Sequence, residues 1–348
     1  MHTLMDNYCD FSSHDIVKFA NILGYNFDND SAGKINDEIS ALYLSKQIYN
    51  NPSVFLDRLS KFELSMLDFL INEGNSIIEL DNEFPISAAI YCKIVSCDLH
   101  DDKPDSIFVS MSEDMRDVLR GYIKESLNNC RKNKTKHFEQ IIIGLLNIYG
   151  VMPTEELKSI FISYFENLSQ KEASALFESV CKSSALLTLC TSHDYNNKSL
   201  FGKNKKSLMH SPLCKEVESL SAPLNNFAGI TSFKKYSIEE VTEAGALPVP
   251  LMPNPHRQEL MQWMTGKKKS DKWDAEEIVF HLWRLAQNPE FSSDSLADDL
   301  INRFKIHPIS SEIDKITNIV KCFSKNCSQW IMKGYSLCDV EQMTNNFK

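Results

Sequence analysis

The chain has 348 residues, of which 43% are hydrophobic and 24% are charged, and its formal net charge is −10. This composition supports packed cores and excludes an intrinsically disordered chain, and the length predicts two to three domains. The acidic charge opposes non-specific binding of the whole chain to nucleic acid or to an anionic membrane, but it is compatible with a local basic face.

The cysteines and the apolar runs predict a cytoplasmic protein. Ten cysteines are scattered without a Cys-x-x-Cys pair, which favours reduced thiols over disulfides or a zinc site, so no cofactor is predicted. The first residues lack the basic segment and apolar core of a secretory signal. The longest apolar run, residues 141–146, is too short to cross a bilayer, so no membrane segment is predicted.

Two segments precede the centre of the chain. Residues 1–59 are predicted to form an N-terminal helical region. Residues 60–130 predict a degenerate winged-helix-like module: a capping box from Ser60 to Glu63 opens a helix, a short helix lies at 86–91, and strands lie at 77–80, 94–97 and 107–110. The turn between the last two strands carries four aspartates, which phosphate would repel. This favours a protein-facing or structural role for the module.

The central segment, residues 131–235, predicts a second winged-helix-like module. Apolar residues recur with helical spacing from Phe138 to Tyr149, a second helix begins near Pro153, and a capping box from Ser169 to Glu172 opens a third. Residues 185–190 are predicted to be a strand and residues 199–201 its return strand. Three helices followed by a hairpin is the order of a winged helix.

The third helix of such a module enters the major groove in DNA-binding proteins. Here Lys171 and Lys182 are balanced by Glu172 and Glu178, and a neutral helix opposes simple duplex binding. Nucleic-acid binding is therefore the alternative function, and surface solvation is the competing explanation of the charges. The candidate nucleic-acid-binding residues lie in a basic linker at 131–136, on the third helix and beside the wing: Lys132, Lys134, Lys136, Lys171, Lys182, Lys198, Lys203, Lys205 and Lys206.

Residues 236–348 predict a C-terminal helical domain. A proline-rich spacer at 247–255 precedes helices at 257–265, 274–287, 295–304 and 311–325. Glu277 and His281 are four residues apart on one of these helices, which suits a metal site in principle. Without further ligands a surface hydrogen bond or charge pair is the favoured interpretation.

The last part of this domain resembles a group of uncharacterised bacterial helical proteins. Asn326, Trp330 and Gly334 match an Asn-x-x-x-Trp-x-x-x-Gly motif, and Tyr149-Gly150-Val151 match an earlier part of such proteins. Many of them then carry a SEC-C zinc module, but here no Cys/His cluster follows the motif, so the resemblance implies no zinc. Trp330 is predicted to anchor the core and Gly334 to end a helix.

The search for chemistry finds no phosphate loop, zinc-protease motif or nucleophile elbow. An enzyme is therefore not predicted, and a catalytic site assembled from distant residues is kept only as a third hypothesis. The predicted fold is mainly α with small β-hairpins: tandem winged-helix-like modules plus a C-terminal helical bundle. The predicted function is a non-enzymatic interaction or regulatory protein whose partner is another protein.

Overall fold

The computed structural model describes residues 3–27, 36–78, 87–100, 103–192, 207–214, 230–265, 274–287, 291–303 and 310–346. Within these residues the chain is mainly helical and carries small antiparallel β structure, which confirms the predicted class. Two compact units are present: Met1–Glu139 with Phe165–Ser192, and Gln140–Tyr164 with His193–Lys348. The segment predicted as a central module, 131–235, thus contributes to both units.

The first unit contains most of the described strands together with the N-terminal helices and a returning helical segment. Its helices are α1 (Ser13–Leu23), α2 (Asp37–Asn50), α3 (Pro52–Leu56), α4 (Lys61–Glu73), α5 (Ala88–Tyr91), α6 (Glu113–Arg120), α7 (Ile123–Lys132), the start of α8 (Lys134–Tyr149), and, counting onward in chain order, α10 (Gln170–Ser183) and α11 (Ala185–Leu189). Its strands are β1 (Ser76–Ile78), β2 (Ser96–His100), β3 (Lys103–Ser110) and β5 (Thr191–Ser192).

The second unit contains the rest of α8 and a mainly helical C-terminal part. Its other elements are β4 (Val151–Pro153), α9 (Thr154–Ser163), β6 (Leu208–His210), α12 (Ile238–Ala244), α13 (Arg257–Thr265), α14 (Ala275–Leu285), α15 (Ser293–Arg303), α16 (Ser310–Lys325) and α17 (Leu337–Asn346). The helices predicted between 257 and 325 are therefore confirmed, with boundaries that differ by a few residues.

The sheet of the first unit has the strand order β1-β3-β2, and both pairings are antiparallel. Ile77 lies opposite Phe108, and Cys97 lies opposite Val109. The three strands predicted for residues 60–130 are thus present. Because β3 is the central strand, both neighbours satisfy its backbone groups, and Val109 is fully buried in the core beneath it.

Arg58 ties the returning segment α10–α11 to the N-terminal helices of the first unit. Its guanidinium donates to the carbonyl of Ile22 at 3.0 Å, to the carbonyl of Lys182 at 2.6 Å and to the hydroxyl of Thr188 at 3.1 Å. Its own carbonyl accepts from the backbone of Ala185 at 3.0 Å. One planar side chain with several fixed donors therefore connects parts of the chain that are more than 120 residues apart.

Residues 185–190 were predicted to be a strand, and this prediction is wrong. The run forms α11, because the hydroxyl of Ser184 accepts from the backbone N–H of Leu187 at 3.0 Å and caps the helix start. A short apolar run has no periodicity that separates a buried strand from a buried helix. The return strand predicted at 199–201 lies outside the described residues; the described partner of β4 is β6, with Met152 opposite Met209.

The predicted linker at 131–136 is also helical. α7 continues to Lys132, Asn133 interrupts the helix with an extended backbone, and α8 begins at Lys134. The side chain of Asn133 accepts from the backbone and hydroxyl of Thr135, at 2.9 and 2.6 Å, and so starts the next helix. Residues 131–136 therefore contain the end of α7 and the start of α8, and they form a tight turn between two helices rather than an extended linker.

In the second unit, α8 and α12 approach each other closely enough to bring their backbones into contact. A β-carbon built on Gly144 would lie 1.8 Å from the carbonyl oxygen of Val241, and one on Gly245 would lie 1.8 Å from the carbonyl oxygen of Gln140. Asn147 donates to the carbonyl of Ala244 at 2.8 Å. The absence of a side chain at both glycines is what permits this crossing.

Candidate interaction surfaces

The basic residues predicted for nucleic acid divide into four groups. Lys132 and Lys134 are exposed at the corner between α7 and α8. Lys136 is turned inward: its Nζ lies 2.8 Å from Glu139, and only 15% of its side chain is exposed. Lys136 therefore forms an ion pair with Glu139 and, unlike Lys132 and Lys134, presents little of its side chain to solvent. The wing-side residues, Lys198, Lys203, Lys205 and Lys206, lie outside the described residues.

The exposed face of α10 carries the two remaining predicted residues, Lys171 and Lys182. Glu172 stands beside Lys171 and closes the predicted capping box, since Ser169 donates from its hydroxyl at 2.6 Å and from its backbone at 2.9 Å. These hydrogen bonds, the hydroxyl's first, lower the pKa of Glu172. The acid consequently stays ionised and offsets the neighbouring lysine.

A shallow depression of about 450 Å³ lies along this face of α10. Its lining combines small side chains with one acid and one base: Ala175, Glu178, Ser179, Lys182 and Ser183. Such a surface has no net charge and lets another chain approach the helix backbone closely.

A second surface of the first unit was missed by sequence reasoning. It is a groove of about 460 Å³ beside α2, α6 and the N-terminal residues. The lining is mostly apolar: Thr3, Met5, Leu42, Ser45, Lys46, Tyr49, Asp114 and Val118. This set is called the α2–α6 groove below.

Asp114 holds the parts of the α2–α6 groove together. Its carboxylate accepts from the hydroxyl of Tyr49 on α2 and from the backbone N–H of Leu4, the latter at 3.2 Å. Partial burial alone would raise the pKa of Asp114, but the hydrogen bonds from its neighbours, Tyr49 and Leu4 among them, outweigh it and lower the pKa. The groove therefore keeps a negative charge at one wall.

One signal in the sequence could have revealed this groove. Helix α2 carries apolar residues on two faces: Ala41, Leu44 and Ile48 are fully buried, whereas Ile39 and Leu42 are 56% and 39% exposed. A helix that is apolar beyond its buried face has surface left for another contact. The participation of Met5 and Val118 could not be predicted, because they come from distant segments.

The residues predicted to be structural, Trp330 and Gly334, interlock with the end of α8. A β-carbon on Gly150 would lie 2.6 Å from Cγ of Trp330, and one on Gly334 would lie 2.7 Å from Cε1 of Tyr149. Both glycines have positive φ, +76° and +83°. The two segments on which the family resemblance rests thus pack directly on each other.

Trp330 is further fixed by hydrogen bonds and ring contacts in the second unit. Its indole N–H donates to the carbonyl of Asn147 at 2.7 Å, and its ring meets that of Trp283 edge-on at 5.8 Å. Gly334 does not end an α-helix. A 3-10 turn at Trp330–Met332 ends at the capping residue Lys333, which adopts the left-handed conformation, and Gly334 follows it.

The Glu277 and His281 pair is used for helix packing. Glu277 closes a capping box with Asp274, and His281 lies 2.9 Å from the carboxylate of Asp299 on α15. The described residues contain no group of three or more His, Cys, Asp or Glu side chains placed to hold a metal ion. Burial raises the pKa of the thiols of Cys92 and Cys327, which makes both poor nucleophiles.

No protein-family model, curated protein or solved structure matches this chain. The resemblance to bacterial helical proteins therefore stays a prediction that rests on the two packed segments. Among the described helices, none is both long enough and apolar enough to cross a membrane.

Proposed function

We propose that this protein is a non-enzymatic interaction or regulatory protein that uses winged-helix-like modules as a scaffold for binding a protein partner. The observation that carries this proposal is the mixed charge of the exposed α10 face. Lys171 and Lys182 are offset by Glu172 and Glu178 around a depression lined by small residues. Phosphate attraction supplies much of the affinity for DNA, and this face offers little of it.

The arrangement of residues 60–130 supports the winged-helix part of the proposal. The chain order is helix, strand, helix, strand, strand, and the sheet order is β1-β3-β2. In residues 131–235 the helices α8, α9 and α10 follow in the expected order, but they are divided between the two compact units. The first module therefore carries this part of the proposal.

Partner recovery from the native host tests the proposal. The tagged full chain is compared with Ser179→Arg, which fills the α10 depression, and with Ser163→Arg, which alters an exposed serine on α9. We expect the parent chain and Ser163→Arg to recover the same partner protein, and Ser179→Arg to recover about tenfold less of it. The reason is that a buried unpaired arginine at an interface costs at least about 1.4 kcal/mol. Equal recovery by all three proteins would contradict the proposal.

Nucleic-acid binding is the alternative, and the exposed cluster at the α7–α8 corner favours it. Arg131, Lys132 and Lys134 are all exposed there. Binding to a labelled duplex is measured at about 50 and 200 mM salt. We expect no binding of the duplex whose affinity changes with the salt concentration. Affinity that falls steeply with salt, and that is lost in a Lys132→Glu/Lys134→Glu variant, would replace the leading proposal by this one.

A further inference from the structure

Four exposed cations lie at adjoining helix ends in the first unit. Arg131 and Lys132 are in the last turn of α7, and Lys134 is the first residue of α8. Lys61 is the first residue of α4, which packs along α7. These four residues are called the basic corner below.

Cys130, which precedes Arg131 on α7, shows that the two helix ends meet. Burial raises the pKa of its thiol, whereas nearby cations, Lys61 and Arg131 among them, act to lower it. Screening by salt limits such an effect to about 10 Å. Lys61 and Arg131 therefore lie at the same end of the packed pair of helices, although they are far apart in the sequence.

The charges of the basic corner are not compensated. Within the part of the chain that the structure describes, none of the four side chains forms an ion pair or a hydrogen bond. No acid lies three or four residues from any of them on the same helix, where a partner would be within reach. The first turn of α8 holds no acid either, although the positive end of a helix dipole favours one there.

The acids next to the basic corner do not neutralise it. Glu139 is buried and pairs with Lys136 at 2.8 Å, so this pair adds no net charge. Glu63 is buried in the capping box at the start of α4. Asp57 is the exposed acid closest in sequence to Lys61. Four exposed positive charges therefore face one exposed negative charge.

Two further pairs of exposed charges on the neighbouring helices cancel. Lys182 and Glu178 lie one turn apart near the end of α10, and Lys124 and Glu125 are adjacent at the start of α7. The guanidinium of Arg58 adds a positive charge, and it reaches the carbonyl of Lys182 at 2.6 Å. The surroundings of the basic corner consequently leave its positive potential in place.

Both an acidic polypeptide and a nucleic acid carry the opposite charge, and their lengths separate them. Neighbouring packed helices lie about 8–10 Å apart, and three residues of an extended peptide cover about 10 Å. Ten base pairs extend for about 34 Å. The chain has a net charge of −10 and the basic corner contributes +4, so the rest carries −14. A duplex would extend over surface of its own sign, whereas a short acidic segment would not.

We propose that the basic corner binds an acidic segment of a protein partner, with aspartate or glutamate side chains placed against Lys61, Arg131 and Lys134. The inference rests on the proposed function, because it gives the chemistry of the partner. Arginine offers a carboxylate two parallel hydrogen bonds, and the lysines act as point charges beside it. The complementary charges accelerate association and fix the orientation of the partner.

Synthetic peptides provide the probe. In the acidic peptide glutamate and serine alternate, which places every carboxylate on one side of an extended chain. The control peptide has glutamine in place of each glutamate. Binding of each labelled peptide to the full-length chain is followed by fluorescence anisotropy at about 50 and 200 mM salt. We expect the acidic peptide to bind with an affinity that falls several-fold at the higher salt, and the glutamine peptide to bind at least tenfold more weakly.

Matched variants locate the site. Arg131→Gln/Lys134→Gln should weaken binding of the acidic peptide at least tenfold, and Lys61→Gln should weaken it several-fold. Lys124→Gln/Lys315→Gln is the control, because it removes two positive charges from exposed positions on α7 and α16, and it should leave binding unchanged. The side chains of the basic corner are exposed and unpaired, so urea unfolding should show all variants to be as stable as the parent chain.

Several outcomes would overturn the inference: no binding of the acidic peptide, equal binding of the glutamine peptide, or equal effects of the corner variants and the control. A short DNA duplex that binds the parent chain but not Arg131→Gln/Lys134→Gln would assign the corner to nucleic acid and also overturn it. Recovery of a partner that Ser179→Arg loses, without peptide binding, would overturn this inference alone. Equal recovery by the three tagged proteins would contradict the proposed function whatever the peptides do.

Discussion

Glu63 shows how one buried carboxylate can organise two helices. Its side chain is 1% exposed. One oxygen accepts from the backbone and hydroxyl of Ser60, at 3.0 and 2.9 Å, and the other accepts from the hydroxyl of Ser87 at 3.0 Å and the backbone of Ala88 at 2.6 Å. The Ser60 bonds were predictable from the capping-box spacing. The bonds at the start of α5 were not, because they depend on how residues 24 positions apart fold together.

Replacement of Glu63 by glutamine tests this double role. In Glu63→Gln an amide NH₂ group replaces one of the two carboxylate oxygens. Each oxygen accepts hydrogen bonds, and an NH₂ group cannot accept them, so at least one buried donor loses its acceptor. We expect a loss of about 2–4 kcal/mol in the free energy of unfolding, measured with urea. The control is Glu172→Gln, which changes the same capping-box position at an exposed site and should cost clearly less. Equal losses would show that the contacts at α5 contribute nothing.

Asp339 provides a prediction of pH dependence in the second unit. It lies 2.7 Å from Lys234 and accepts from the backbone and hydroxyl of Ser336, both at 2.8 Å. Partial burial alone would raise the pKa of Asp339, but these hydrogen bonds lower it below its ordinary value. A carboxyl whose pKa is lowered by folding stabilises the protein above its unfolded pKa, and this contribution is lost as the pH falls through the folded pKa.

Asp339→Asn should therefore lower the free energy of unfolding by roughly 0.5–1 kcal/mol at pH 7, as expected for a partly exposed ion pair. The difference from the parent chain should shrink once the pH falls below about 4. Urea unfolding at several pH values measures it, and Asp314→Asn, at an exposed position on α16, is the control. A difference that is constant with pH would refute the assigned role of the charge.

At the scale of elements, periodicity and caps predicted the helices better than the strands. The predicted capping boxes at Ser60 and Ser169 are both formed. The failure at α11 has a physical reason: in five residues an apolar run cannot show a period, so the cap at Ser184 decides the conformation. Likewise, the sequence of the groove helix α2 shows excess apolar residues but cannot say what lies opposite them.

The crossing of α8 and α12 was not predictable from the sequence, because Gly144 and Gly245 are about a hundred residues apart. Each glycine alone indicates only a position of low helix propensity. Gly144→Ala puts a β-carbon where the carbonyl of Val241 lies, so the helices must separate. We expect a loss of about 2–3 kcal/mol in the free energy of unfolding.

Gly121→Ala is the matched control for this crossing. A β-carbon on Gly121 would have its nearest neighbour at 3.9 Å, in ordinary contact, and φ there is −75°. This variant should be neutral or more stable by up to about 1 kcal/mol, because alanine restricts the unfolded chain. If Gly144→Ala changed the free energy of unfolding no more than Gly121→Ala, the close approach of the α8 and α12 backbones would be wrong.

At the scale of the whole molecule, apolar periodicity and helix caps were enough to predict a mainly helical protein. Sequence reading assigns contiguous segments to domains, whereas here each compact unit collects two separate segments. The second unit depends on contacts between Gln140–Tyr164 and the C-terminal part of the chain. Gly150 and Gly334 make the clearest of these contacts, since each accommodates an aromatic ring from the other segment.

Gly334→Ala tests whether the second unit is stabilised as a whole by this interlock. The new methyl group would lie 2.7 Å from Tyr149 and would also strain a backbone with φ +83°. Local opening should then become easier in both segments of the unit, so amide hydrogen exchange should accelerate in residues 140–164 as well as in residues 310–346. Exchange in residues 36–78 of the first unit serves as the internal control and should not change. Acceleration confined to residues 310–346 would mean that the two segments do not open together, and acceleration in residues 36–78 would mean that the two units are not separate in stability.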